Sequence, residues 1–223
     1  CTSVWATGNI PQQLCWVVTV LIPKGGGEYR GIGLLEPIWK VMERVMDLRL
    51  ERIKLHDSLH GCLAGRGTGT GIIEAKLAQQ LAHLEQRPFF GVFINLKKAF
   101  DAMDRGRCLA ILELHGVGPQ MLRLIHNFWE TATNVCRAKG NYGRPFKAGR
   151  GVTQGGPLSA KLFNIIVDPV VREWVRLMRA TLDNSEGYLT DQIEALFAIF
   201  YVDDGYIASR DVEFLQEALN ILV

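Results

Sequence analysis

This chain of 223 residues has little net charge, no paired cysteine spacing and no long hydrophobic run. Its 25 Lys and Arg residues stand against 23 Asp and Glu, a formal net charge of +2. So even a balance neither demands nor forbids a nucleic-acid partner, because local patches decide binding. The cysteines (Cys1, Cys15, Cys62, Cys108, Cys136) are odd in number and scattered. That argues against a zinc site or disulfide framework and for a reducing, intracellular compartment. The longest apolar run near the start, Leu14 to Ile22, is far too short to span a bilayer, so no membrane association is expected.

Several motifs are also missing. No Gly-Lys-Ser/Thr occurs, which removes a P-loop. The glycines from Gly65 to Gly71 lack the order of a dinucleotide-binding turn and follow no convincing strand. The histidines (His56, His60, His83, His115, His126) show no metal-ligand spacing and read as helical surface or satisfied core. There is no internal repeat, low-complexity tract or obvious linker. The chain opens on Cys1 rather than Met, has no signal peptide, and stops at Val223 inside an apparent helix. We read it as a piece of a longer protein whose further domains lie outside it.

What is present suits a folded core. Apolar residues make up 48% of the chain, enough for one large domain or two small ones. Cys15 to Ile22 reads as a buried β-branched strand, and Lys24 to Arg30 as a Gly-rich hairpin-like loop with a base at each end. From Leu34 to Ile53, Ile38, Val41, Met42, Val45, Met46 and Leu48 recur at helical spacing. Further helices are expected over Ile72–Glu85, Arg105–Leu114 and Pro119–Thr131. Phe89 to Leu96 reads as a core strand, and Asn134 to Gly151 as a hairpin turning at Gly140 to Gly143. A long helix is expected to carry Pro157 just inside its start and to kink at Pro169. Leu196–Val202 and Tyr206–Ala208 read as short strands joined through Asp203-Asp204-Gly205. The mixture argues an α+β fold.

The stretch Phe200-Tyr-Val-Asp-Asp-Gly205 carries the most chemical information. An Asp-Gly turn is its bland explanation. A turn needs one Asp, however, and two adjacent carboxylates between apolar strands gain nothing from their flanks. Paired carboxylates on rigid backbone are what a divalent cation requires.

These residues resemble the signature hairpin of reverse transcriptases, and further segments match that family in order. Phe93 to Asp101 resembles its strand-to-helix motif, and Gly151 to Ser159 its Gln-Gly-x-Pro-Leu-Ser loop. Leu21 to Lys24 with Tyr29-Arg30 resembles the fingers segment, and Gly61 to Thr68 the connecting motif after it. The style is closest to non-LTR retroelement and group II intron enzymes. The resemblance implies a right-hand polymerase fold: an antiparallel palm sheet backed by helices, a largely helical fingers subdomain, and no thumb within this chain. The fingers would occupy 1–88 and 119–150, the second stretch as a hairpin insertion, and the palm 89–118 and 151–223.

The same resemblance implies a site. Asp203, Asp204, Asn95 and Leu96 would surround two Mg²⁺ ions, with Mn²⁺ as a substitute. Lys24 and Arg30 would grip the incoming triphosphate, as a planar Arg fork suits phosphate, though a Lys/Arg pair beside a Gly loop is usually only solvated. Phe100 would be the steric gate under the sugar, against a core-filling alternative. Gln154, Gly155 and Pro157 would shape the floor beneath template and nucleotide, and Tyr201 would flank the carboxylates. The implied partners are an RNA or DNA template, a primer and deoxynucleoside triphosphates. Three departures stand out: Gly31 replaces a Pro, Ala160-Lys161 replaces Ser-Pro, and Asn95 stands where the family carries its first catalytic Asp. An amide oxygen still coordinates a cation but brings no charge, and Asp101 and Asp104 fall in the next helical turn, wrongly directed to substitute. The expected activity is template-directed deoxynucleotidyl transfer. The alternative is an impaired copy that keeps the fold and binds nucleic acid without polymerising.

Overall fold

The computed structural model describes residues 2–183 and 197–222; Cys1, Leu196 and Val223, named above, lie outside these. The chain divides into two compact units, residues 1–54 with 98–165 and residues 55–97 with 166–223.

The first unit opens with α1 (Thr2–Thr7), followed by β1 (Trp16–Gly25) and β2 (Glu28–Leu35). These strands form an antiparallel hairpin that turns at Gly26-Gly27. The expected loop at Lys24–Arg30 is therefore largely strand, and the expected helix from Leu34 begins only after β2 ends. That helix, α2 (Pro37–Leu50), starts on Pro37, whose fixed φ and missing N–H suit a first helical position. It buries Trp39, Met42, Met46 and Leu50, while Ile38, Val41, Val45 and Leu48 stay exposed. Its apolar residues thus occupy two faces, and only one enters the core.

Later segments complete this unit: α4 (Ala99–Ala102), α5 (Arg105–Leu114), α6 (Pro119–Thr131), β4 (Thr133–Ala138) and β5 (Asn141–Tyr142). Asp104 caps α5 by accepting the Arg107 N–H at 2.8 Å, so its carboxylate is engaged there. α6 buries Met121, Leu124, Ile125, Phe128 and Trp129, and Phe128 stacks on Trp39 at 4.2 Å between centroids. The sheet has the order β2-β1-β4-β5, with β1 and β4 parallel. The β4–β5 turn lies at Lys139-Gly140, slightly earlier than expected.

The second unit holds α3 (Thr68–Leu84) and β3 (Phe90–Asn95). It also holds β6 (Phe197–Tyr201), β7 (Asp204–Ser209) and α8 (Val212–Leu222). A long helix, α7 (Ser159–Asp183), runs from the first unit into the second and stays continuous through Pro169. That Pro has no N–H to offer the preceding turn. The sheet is antiparallel in the order β3-β7-β6. One face packs Phe200 and Ile207 against Trp174, Met178, Phe214 and Leu215. Leu59 joins that core and forms a parallel bridge with Phe200, so residues around it extend the sheet beside β6. His60 is buried as a satisfied core residue, its Nδ1 3.3 Å from Thr70 Oγ1 and its Nε2 3.4 Å from Glu74.

The sequence expectations for Pro157 and for the second hairpin need correction. Pro157 precedes α7 instead of starting it. Turns with Gly156 N–H donating to Thr153 O at 3.1 Å and Ser159 N–H to Gly156 O at 3.2 Å come first. The hairpin turn is Val202-Asp203, not Asp203 to Gly205, because Tyr201 pairs with Asp204 and Phe200 with Gly205. Gly205 is thus a strand residue.

Candidate functional site

Strand alternation sorts the second sheet into a core face and an open face. Asn95, Asp204 and Tyr201 form one row across β3, β7 and β6, because Asn95 pairs with Asp204 and Asp204 with Tyr201. The next row on the same face is Phe93, Tyr206 and Ile199; Phe93 is 84% exposed and its ring lies 4.8 Å from that of Tyr206. Ile199, in contrast, is buried beside Gly71 of α3, so this face is open on the β3 side and covered on β6. Asp204 is exposed and Asp203, in the turn, is half-buried. Asn95 Nδ2 donates to Asp204 Oδ1 at 2.8 Å. The Leu96 N–H donates to the Asp203 carbonyl at 2.7 Å. The predicted residues Asn95, Leu96, Tyr201, Asp203 and Asp204 are therefore brought together by one register.

Holding the turn requires strain. Val202 has φ +59°, a region a β-branched residue seldom adopts, yet its side chain is only 8% exposed. Gly61 explains how the turn is held. A Cβ there would stand 2.5 Å from Val202 Cγ2 and 2.7 Å from Val202 N. Flanking bonds from His60 N–H to Phe200 O, 2.8 Å, and Phe200 N–H to Ser58 O, 2.7 Å, fasten the same segment to β6. Gly61 was visible in sequence only as part of a motif; its contact with the carboxylate turn was not.

The other predicted residues belong to the first unit. Lys24 and Arg30 are exposed. Arg30 sits opposite Ile22 on the hairpin, and the register slips between Pro23 and Gly25, making Lys24 the extra residue of a bulge. The Gln154 carbonyl accepts the Gly33 N–H at 2.6 Å, closing the free edge of β2. Gly155 has φ +107°, and a Cβ there would lie 2.9 Å from Gly33 O; only glycine combines that backbone with that approach. Val152 N–H donates to Phe100 O at 3.0 Å and Gly151 N–H to Met103 O at 2.8 Å. Phe100, Gln154, Gly155 and the strand of Arg30 are thus joined through main-chain bonds. The Phe100 ring is half-buried, 5.4 Å from that of Phe163.

Two residues no motif announced support this cluster. The Arg105 guanidinium donates to Gly151 O at 2.9 Å, Ala148 O at 2.6 Å and Trp129 O at 3.3 Å. Burial lowers its pKa, with Glu130 acting in the opposite sense. Glu43, 5% exposed, accepts from Trp39 Nε1 at 3.0 Å and from Leu158 N–H at 3.4 Å. Burial pushes its carboxyl up to about 7, against the lowering effect of those bonds and Lys40. Nothing in a lone Arg or Glu on a helix signals such a partner.

As cation donors, Asp203 and Asp204 offer hard carboxylate oxygens and Asn95 an amide oxygen, the kind Mg²⁺ takes. Among the described residues no third acidic, His or Cys side chain completes a metal-binding cluster. Among them, too, no helix is long and apolar enough to cross a membrane.

An antiparallel sheet backed by helices, with paired carboxylates beside a hairpin turn, is the arrangement of the right-hand polymerase fold. Solved structures agree on the fold. Apo telomerase from Candida tropicalis, truncated from its C-terminal domain, gives a TM-score of 0.66 at 16% identity, covering 99% of this chain and 50% of that one. Telomerase from Candida albicans, in complex with a fragment of telomeric RNA, gives 0.62 at 14% identity, covering 99% of this chain and 43% of that one. Residues 22–223 match the family described as reverse transcriptase (RNA-dependent DNA polymerase). The chain belongs to that family. The transposon TX1 uncharacterized 149 kDa protein of Xenopus laevis is 26% identical over 226 residues, 97% of this chain and 17% of that protein. The Pol polyprotein of the type-1 retrotransposable element R2 of Nasonia vitripennis is 25% identical over 224 residues, 96% of this chain and 20% of that protein. The chain spans about a fifth of these curated relatives.

Proposed function

We propose that this chain is the fingers and palm of a reverse transcriptase that directs deoxynucleotidyl transfer to a primer from an RNA or DNA template. The observation that carries the proposal is the row Asn95, Asp204 and Tyr201 on the open sheet face, with Asp203 in the adjoining turn. The fingers take 1–88 and 119–150, the palm 89–118 and 151–223, and a thumb and further domains belong to the parent protein, acting inside the cell.

Asp203 and Asp204 would hold Mg²⁺, as two ions or with Mn²⁺ in its stead, with the Asn95 side-chain oxygen and the Leu96 carbonyl alongside. Such ions, when bound, supply positive charge to the triphosphate and favour ionisation of the attacking 3′-hydroxyl. The chain's own residues bind and orient. Lys24 and Arg30 hold phosphate oxygens, Arg30 by a bidentate fork. Phe100 occupies the space of a 2′-hydroxyl. Gln154 and Gly155 form the floor, supported by the turn at Pro157, and Tyr201 flanks the carboxylates. The main-chain bonds behind Phe100, Gln154 and Gly155 and the strand pairing of Asn95 and Asp204 would limit reorganisation of those groups during transfer.

One contact favours a second reading. The Asn95 amide spends its N–H on Asp204 and adds no negative charge, as expected of an impaired copy that retains the fold and binds nucleic acid. Primer extension on an RNA template by the chain joined to a C-terminal thumb domain, with each deoxynucleotide supplied singly, tests the proposal. Addition of only the templated nucleotide supports polymerase activity; binding without addition supports the impaired copy; neither binding nor addition rejects both.

A further inference from the structure

We propose that the β4–β5 hairpin is a docking surface for single-stranded nucleic acid, a reading that rests on the proposed function and names where the unpaired template is gripped. The chain as a whole is nearly neutral, yet no Asp or Glu occurs between Glu130 and Asp168. Within that acid-free stretch every residue from 137 to 147 is exposed. The hairpin presents Arg137, Lys139, Tyr142, Arg144, Phe146 and Lys147. Among the described residues, Arg137, Lys139 and Arg144 enter no ion pair, so their charge is available to an outside anion.

Aromatic rings interleave with these bases. Tyr142 is 62% exposed and Phe146 47%, so both rings are open to a stacking base. The Arg137 guanidinium lies 5.8 Å from the Tyr142 ring centroid. The backbone beneath is ordered beforehand. Gly143 N–H donates to Cys136 O at 2.8 Å, and Asn134 and Phe146 exchange main-chain bonds of 2.8 and 2.9 Å. A surface so fixed loses little entropy on binding.

Cations also guard sheet edges against unwanted pairing, and β5 is an edge strand. Guarding needs charge and gains nothing from exposed rings. Bases of one sign beside exposed aromatics match a strand whose phosphates are neutralised while its bases stack. Stacking requires unpaired bases, which selects a single strand over a duplex.

Fluorescence anisotropy with a labelled oligouridylate, repeated with oligothymidylate, tests this on the intact chain. Tyr142→Ala should weaken binding roughly 5- to 150-fold, the range for loss of one stacked base, while Tyr142→Phe retains it. Arg144→Gln should reduce the slope of log affinity against log salt by about 0.7, and Lys76→Gln, on α3, should leave it unchanged. Unlabelled duplex should compete poorly. Crosslinking of 5-iodouridine oligonucleotide to the unaltered protein should mark residues 137–147, which makes the test independent of any variant's folding. Binding indifferent to Tyr142, equal effects of Arg144→Gln and Lys76→Gln, duplex competing as well as single strand, or crosslinks confined elsewhere each overturn the proposal. Strand binding through this hairpin with no primer extension would remove polymerase activity and leave the surface standing. Normal extension with binding indifferent to the hairpin would do the reverse.

Discussion

Asn95 and Asp204 face each other across β3 and β7, and the Asn95 amide donates a 2.8 Å hydrogen bond to the Asp204 carboxylate. An amide here turns a cross-strand repulsion into an attraction, at the cost of one negative charge for a cation. Asn95→Asp should therefore lower stability by about 0.2–1 kcal/mol when divalent ions are chelated, the cost of like charges directly opposite. Millimolar Mg²⁺ should restore it, because a cation bound only by the folded form stabilises it. Melting curves with and without chelator check this; equal Mg²⁺ responses in the two proteins would argue that position 95 is not beside a cation.

Gly61 sets the turn that carries Asp203. A methyl group there would meet the Val202 main-chain nitrogen at 2.7 Å, and a backbone atom cannot swing aside. Gly61→Ala should cost about 1–3 kcal/mol, the range for overpacking, and should reduce any activity more than Gly67→Ala, which meets nothing within 4 Å. Urea unfolding midpoints measure the difference, and equal midpoints would remove the Gly61 contact from the account.

How the sequence anticipated the structure depends on the range of the forces involved. α5 and α6 end where their periodicity and flanking residues say, since Asp104 and Pro119 are local start signals. β3 and the carboxylate hairpin were legible from apolar runs and a motif. The turn itself was not: an Asp-Gly pair is the better local turn, but Leu59 and Gly61, distant in sequence, hold Val202 in the turn instead. Pro157 misled likewise, because the bonds from Gly156 and Ser159 delay the helix. The support given by Arg105 and Glu43 arises wholly from packing, which no spacing encodes.

Glu43 makes stability depend on pH. Its folded pKa of about 7 stands above the ordinary 4.5, so the folded form binds the proton more tightly. The associated stability is fully present below 4.5 and is lost as pH rises through 7, on the order of a few kcal/mol. Glu43→Gln should flatten the stability profile over that window relative to the unaltered protein. Urea titrations across a pH series decide it, and parallel profiles would contradict a buried, proton-retaining Glu43.

Phe100 is half-buried near Phe163, so both gate and core roles remain consistent with its position. Phe100→Val, in a polymerising form of the protein, should raise ribonucleotide incorporation relative to deoxyribonucleotide by at least tenfold, about 1.4 kcal/mol of discrimination. Unchanged sugar selectivity with a lowered melting temperature would assign the ring to the core alone.

The most direct measurement compares primer extension by the protein with Asn95 and with Asn95→Asp, each joined to the same C-terminal thumb domain so that grip on the duplex is held constant. The substitution nearly conserves volume and restores a charge opposite Asp204. Loss of a residue that merely supports a metal ligand costs about 10- to 100-fold, and a direct ligand should cost more. With Mg²⁺ the Asn95 form should add the templated nucleotide slowly, and Asn95→Asp should exceed it by more than about 100-fold. Equal rates in the two forms would contradict the assignment of position 95 as a depleted cation ligand.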